Sequence, residues 1–196
     1  MNDFVFYVCD TETTSLDNSV GDIIELSLFR LSDNIQKTWC LKPLNFDGID
    51  MGALKVNGHK YDDITHKTKE GRERYLNPEK VVADIENWMM EDGASCEDRI
   101  FVAQNAPFDK AYMEKLWAKV GATNSFPFSR RYLDTMQIEI FLDLCKSKRQ
   151  EYYNLGSIIK KYGIKLDKAH TAAADTAATK ELFVKQVEFV KNLINK

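Results

Sequence analysis

An α/β fold built on a mixed five-stranded sheet flanked by helices is what this sequence predicts, with an antiparallel meander at the start and βα alternation at the end. Two observations lead there. Three runs of strand-like composition joined by short links precede Lys42, and from Ile100 onward short apolar runs alternate with stretches of helical period.

The meander is read from Phe4 to Cys9, Ile23 to Leu31 and Gln36 to Leu41, which are rich in β-branched and aromatic residues. A less regular stretch containing Gly48, Gly52, Gly58 and Gly71 follows. Asn77 and Pro78 then give a helix start, and Val81, Val82, Ile85, Trp88 and Met89 supply its apolar stripe. Ile100 to Ala103 is a short apolar strand, and Pro107 opens a helix with Met113, Leu116 and Val120 on one face. A strand at Tyr132 to Asp134 leads to helices at Met136–Leu144, Leu155–Tyr162 and Thr171–Leu193.

A length of 196 residues with 44% hydrophobic and 29% charged content suits one globular domain, 1–196, and no repeat or low-complexity tract divides it. No apolar run approaches the ~20 residues needed to cross a bilayer, and the N-terminus lacks signal-peptide character, so a cytoplasmic protein with no membrane partner is expected. Cys9, Cys40, Cys96 and Cys145 form no CxxC pair, which argues against a zinc or redox motif and for buried free thiols. At a formal net charge of −3, nucleic acid contact needs a local patch. Lys146, Lys148, Arg149, Lys160, Lys161, Lys165 and Lys168, interleaved with Tyr152, Tyr153 and Tyr162, offer one, although a solvated helix face explains the same run.

Chemistry concentrates in three places. In Cys9-Asp10-Thr11-Glu12-Thr13-Thr14, at the end of the first strand, alternation turns Asp10 and Glu12 to one side, where two carboxylates repel unless a cation intervenes. Taken alone, such a pair is more often solvated surface. In Gln104-Asn105-Ala106-Pro107-Phe108-Asp109, Asp109 falls in a first helical turn, a position also favoured by the helix dipole, and Phe108 is either core or a surface for a base. In the third, Ala169 to Thr179, five helical residues rotate a side chain by about 500°, so His170 and Asp175 share no face if both are helical. His170 therefore precedes the helix, with Thr171 as its cap, while the alanines let Asp175 approach the sheet closely. Oxygen ligands of this kind favour hard ions such as Mg²⁺ or Mn²⁺.

The order DxE, NAxFD, HxxxxD resembles the DEDDh exonucleases, the DnaQ-like family that includes ribonuclease T. Leu133-Asp134-Thr135, Asn154-Leu155-Gly156, Tyr162-Gly163-Ile164 and Thr179 resemble it too, whereas Gln104 stands where many members carry His. The resemblance implies a ribonuclease-H-like fold and a 3′-to-5′ exonuclease that releases nucleoside 5′-monophosphates from single-stranded 3′ ends of DNA or RNA. It further implies that Asp10, Glu12, Asp109 and Asp175 hold two Mg²⁺ ions, with Mn²⁺ as a substitute, that Asp10 bridges them, and that His170 is the general base. Thr13, Asn57, Asn105 and Phe108 are expected to meet the terminal nucleotide, and Leu54 is either core or a wedge between the last bases. A homodimer or a polymerase or repair partner is compatible with this family.

Two alternatives belong to other classes. A haloacid-dehalogenase-type phosphatase begins with DxDxT, which Asp10 to Thr14 approaches except that its second acid is Glu12, and it would form an aspartyl-phosphate. A catalytically silent nucleic-acid-binding module would keep the fold while lacking some of the five reactive side chains.

Overall fold

A continuous apolar run, Val5 to Cys9, lets β1 (Val5–Thr13) sit at the centre of the sheet with both faces covered in the computed structural model, which describes residues 4–120, 126–167 and 169–195. β2 (Ile23–Arg30) pairs with it antiparallel, and β3 (Ile35–Cys40) pairs antiparallel with β2. On the other side β4 (Arg99–Ala103) and β5 (Tyr132–Asp134) add parallel strands, giving the order β3-β2-β1-β4-β5. The meander followed by βα alternation is therefore observed. β1 is longer than its composition indicates: it continues through Thr13, because β2 pairs with it as far as Ile23, and the two acids lie inside the strand instead of closing it.

The stretch that reads as irregular contains three short helices, α1 (Met51–Asn57), α2 (Tyr61–Ile64) and α3 (Lys69–Arg74). Asp50 caps α1 by accepting from Gly52 N–H, and Gly58 ends it at φ 73°, a conformation that a residue without Cβ adopts freely. Helices this short show little periodicity. The remaining helices are α4 (Pro78–Met90), α5 (Ala106–Val120), α6 (Thr135–Cys145), α7 (Leu155–Lys161) and α8 (Ala172–Ile194).

Alternation along β1 sorts the helices into two layers. Tyr7 and Cys9 face α4 and α5, packing with Val81, Ile85, Trp88, Tyr112 and Met113. Val8 faces α8, packing with Phe29, Val102 and Phe183. Asp10 and Glu12 continue the α8 side, and Thr11 continues the α5 side. Of the four free cysteines only Cys9 is buried; Cys40 and Cys96 are half-buried and Cys145 is exposed, so the expectation of buried thiols holds at one position. Among the described residues no helix is long and apolar enough to cross a membrane.

Candidate active site

Three of the four acids meet. Asp10 and Glu12 from β1 and Asp175 from the first turns of α8 each offer a carboxylate oxygen, and these oxygens lie within 4.8 Å of one another. Small residues permit the approach: Ala172 and Ala178 are buried where α8 lies on the sheet, and Thr176 Oγ1 donates to the Ser27 carbonyl at 3.4 Å. Thr171 caps α8 by accepting from Ala174 N–H at 3.3 Å, as expected. His170 then precedes the helix at φ 67°, and its N–H donates to Asp175 Oδ2 at 3.1 Å.

Asp109 is held differently. β4 pairs with β1 only from Val5 to Val8, which leaves the strand edge at Thr11 open to α5. Asp109 Oδ1 accepts there from Thr11 N–H at 2.9 Å and from Thr11 Oγ1 at 2.8 Å. It is thus bound beside the group of three, on the α5 side, and the expectation that all four carboxylates converge is met for three. Asp134 sets the start of α5: its carboxylate accepts from Asn105 N–H, Ala106 N–H and Met136 N–H, so one side chain caps both α5 and α6.

Electrostatics mark the cluster as a place for positive charge. Burial, then the charges of Asp109, Asp175 and Glu12, push Asp10 well above the ordinary carboxylate range. Burial and the same neighbourhood, with Asp175 the foremost charge, push Glu12 up to about 8. Burial raises Asp175 as well, partly offset by the His170 N–H. Asp109 is raised to about 7 by burial, against the hydrogen bonds from Thr11. Asp175 Oδ1 is buried with no hydrogen-bond partner, an arrangement that a bound cation satisfies. The donor set is oxygen only, which suits a hard divalent ion.

The clustered acids line two cavities. One, of about 520 Å³, is lined by Asp10, Asp175, His170, Gln104, Ala169, Leu166 and Asn154–Gly156 at the start of α7. The other, of about 320 Å³, is lined by Glu12, Thr11, Thr13, Phe108, Asn57, Leu16, Asp50, Gly52, Ala53 and Val56. Thr13, Phe108 and Asn57 are therefore beside the cluster. Asn57 is also a tether, donating to the Thr13 carbonyl at 3.1 Å and accepting from His59 N–H at 3.2 Å.

Two expected contacts are not in these cavities. Leu54 is 3% exposed and packs with Ile24, Ile64 and Tyr75, so it belongs to the core and is no wedge. The large exposed apolar side chains that line the cavity are Val56 and Leu16, 61% and 82% exposed. Asn105 is exposed, lines neither cavity, and serves the turn after β4 at φ 60°. The basic patch is also smaller than it reads. Lys161 pairs with Glu139 and Asp143, which are 0% and 1% exposed, and the Tyr162 and Tyr153 hydroxyls donate to the same acids. Lys146 lies over the Phe189 ring, Lys168 lies outside the described residues, and Lys148, Arg149, Lys160 and Lys165 remain exposed.

Glu25 and Gln104 are site neighbours that pattern reading leaves unassigned. Glu25 faces Glu12 across the β1–β2 pair, and the signal is an acid inside the apolar run Ile23 to Leu28. Gln104 lines the larger cavity, donates to the Tyr153 carbonyl at 2.8 Å and accepts from Thr135 Oγ1 at 2.5 Å.

The family model RNase_T, described as exonuclease, matches residues 7–183. This chain belongs to the exonuclease family. Its resemblance to the DnaQ-like, ribonuclease T-like members stands, and the phosphatase alternative is not favoured. The PolC-type DNA polymerase III of Staphylococcus aureus is 29% identical over 200 residues, an alignment that covers 98% of this chain and 12% of that relative. This exonuclease-family chain thus spans about an eighth of the length of the curated relatives it matches. Among solved structures, cell-death related nuclease 4 superposes with a TM-score of 0.72 at 14% identity, covering 95% of this chain and 64% of that one. Escherichia coli exonuclease I in complex with a dT13 oligonucleotide superposes with a TM-score of 0.69 at 17% identity, covering 94% and 40%. At these identities the likeness concerns the fold, which is the ribonuclease-H-like mixed sheet with flanking helices.

Proposed function

We propose that this chain, as a single domain of residues 1–196, is a 3′-to-5′ exonuclease that hydrolyses the terminal phosphodiester bond of single-stranded DNA or RNA and releases nucleoside 5′-monophosphates. The observation that carries this reading is the meeting of Asp10, Glu12 and Asp175 oxygens within 4.8 Å, with a buried, unpartnered Asp175 Oδ1, beside a turn that bears His170.

Asp10, Glu12 and Asp175 would hold divalent cations, Mg²⁺ with Mn²⁺ as a substitute, and Asp109 would join them from the Thr11 side. Bound there, the cations supply charge neutralisation and Lewis-acid activation of water and of the leaving 3′ oxygen. His170 accepts the proton of the attacking water as general base. Asp175 would do two things: its unpartnered Oδ1 would serve a cation, while Oδ2 anchors the His170 backbone. Phe108, Thr13 and Asn57 line the cavity in which the last nucleotide lies, with Val56 and Leu16 as its exposed apolar rim.

Support for the substrate class comes from the exonuclease family match and from the oligonucleotide named in the exonuclease I structures. The PolC-type relatives support a polymerase context; cytoplasm is the proposed compartment, and a homodimer is the other assembly to examine. The test uses end-labelled single-stranded and duplex DNA and RNA with Mg²⁺, Mn²⁺ or chelator. A 3′ label released first as mononucleotide, only with metal, is expected. Loss of a 5′ label first, or equal cleavage in chelator, excludes the proposal.

A further inference from the structure

Gln104 follows the last residue of β4 and lines the larger cavity with Asp10 and His170. Both ends of its amide are engaged. Oε1 accepts from Thr135 Oγ1 at 2.5 Å, and Nε2 donates to the Tyr153 carbonyl at 2.8 Å. Thr135, at the start of α6, is fully buried, and its own carbonyl accepts from Gln186 Nε2 at 3.0 Å, so this end of the amide is fixed to α6 and α8. The other end reaches chain of a different kind. Arg149 to Tyr153 belong to no helix or strand and are held by side-chain bonds: Gln150 Nε2 donates to Asp143 Oδ2 at 2.8 Å, and the Tyr153 hydroxyl accepts from Gln150 N–H at 3.2 Å and donates to Asp143 Oδ2 at 3.3 Å. Backbone without a ladder or a helical turn keeps its place through bonds of this kind.

We propose that Gln104 is a positioning residue for the substrate, which pins the wall formed by Asn154, Leu155 and Gly156 and thereby sets the gap through which the strand passes the clustered acids. This inference rests on the exonuclease reading above. Asn154 directly follows Tyr153 and caps α7 by accepting from Ser157 N–H at 2.9 Å, so the bond from Gln104 to Tyr153 fixes where α7 starts. That start lines the same cavity as Asp10, Asp175 and Gln104. Because the last nucleotide lies in the smaller cavity and the clustered acids line both cavities, the nucleotide before it falls against this wall. The acids and His170 are placed by other contacts, from β1, from α8 and through the bond between His170 N–H and Asp175. Gln104 therefore acts on how the strand is held and leaves the chemical step to the cluster.

Two substrates separate these effects. An oligothymidylate fills both cavities, whereas the p-nitrophenyl ester of thymidine 5′-monophosphate carries a single nucleotide. With Mg²⁺, Gln104→Ala should raise KM for the oligothymidylate about threefold to tenfold and leave its kcat within about twofold, the pattern of lost uniform binding. KM for the ester should stay within about twofold of wild type. Gln104→Met keeps the length of the side chain without its N–H donor or carbonyl acceptor and should behave as Gln104→Ala does. In chelator without nucleic acid, amide hydrogen exchange across residues 150–158 should be faster in both variants than in wild type. An unchanged KM for the oligothymidylate, an equal rise in KM for the ester, a change confined to kcat, wild-type behaviour of Gln104→Met, or unchanged exchange would overturn the proposal. If Gln104→Ala does not fold, Gln104→Met decides through the same readouts. A wild type that cuts neither substrate defeats the exonuclease reading, and the exchange data then decide the tether alone.

Discussion

The His170 N–H donates to Asp175 Oδ2 at 3.1 Å, so the turn that presents the imidazole is fastened to one of the clustered acids. The bond is made possible by φ 67° at His170, a left-handed conformation at the entry to α8. The imidazole-bearing turn and one carboxylate of the cluster are thereby one local unit.

Truncating the imidazole tests its part alone. His170→Ala should lower the single-turnover rate by about 10² to 10⁴, the usual contribution of a general base, while Mg²⁺ and strand affinity stay near wild type. Single-turnover cleavage and calorimetric titration separate the two, and an unchanged rate assigns the base elsewhere.

Repulsion within the cluster makes a stability prediction opposite in sign to its effect on activity. Asp10→Asn removes a charge that Asp109, Asp175 and Glu12 all disfavour. In chelator its melting temperature should exceed that of wild type, and adding Mg²⁺ should stabilise wild type much more than the variant. Turnover should be lost. A thermal-shift series with and without chelator checks this, and a lower apo melting temperature for the variant counts against it.

Leu54 and its exposed neighbours should respond in opposite ways. Leu54→Ala should destabilise the fold by about 2–5 kcal/mol by opening a core cavity. Val56→Ala and Leu16→Ala should leave stability within about 0.5 kcal/mol and raise KM for a single strand. Denaturant melts and steady-state kinetics on the three variants decide it.

Within the basic run, Lys161 should behave as a structural residue. Lys161→Met leaves Glu139 and Asp143 buried without their cation, so a loss of about 3–5 kcal/mol is expected. Lys148→Ala with Arg149→Ala should spare stability and reduce the salt dependence of strand binding by about 0.7 in log–log slope for each phosphate no longer neutralised. Equal salt slopes for wild type and the double variant would remove the patch from the interface.

Acid sensitivity should arise at Asp92, away from the site. Burial would raise its carboxyl, but Arg99, the Tyr7 hydroxyl and the Ala94 N–H outweigh it and hold the value below the ordinary range. A depressed folded pKa contributes stability that is full above the unfolded value of about 3.9 and is lost as pH falls through the folded value. Asp92→Asn should therefore lower stability at pH 7 by about 3–5 kcal/mol and flatten the acid limb of the stability curve. Urea melts from pH 7 down to pH 2 measure both.

The meander, the βα alternation and most helix placements are largely legible in the chain. Pro78 after Asn77, the stripe from Val81 to Met89, and Thr171 ahead of Ala172 are local signals, and each marks an element close to its observed end. The helices α1, α2 and α3 escape notice because they are short and each buries at most one apolar side chain, too few to display a period. The acids of the site are legible as motifs. Their sorting is not: Asp109 and Asp175 are both first-turn aspartates, and only the layer in which each helix lies sends one to Thr11 and the other to Asp10 and Glu12.

Neighbour-to-neighbour chemistry along the chain thus specifies the strands, the long helices, the alternation that turns Asp10 and Glu12 to one side, and the placement of His170 before a helix. Contacts between distant segments decide the rest. Leu54 goes inward while Val56 stays out, Lys161 is tied to the buried Glu139 and Asp143, and Glu25 finds His59 and Arg74. The reason is physical: alternation and capping depend on residues a few positions apart, whereas burial and ion pairing depend on which surfaces the folded layers bring together.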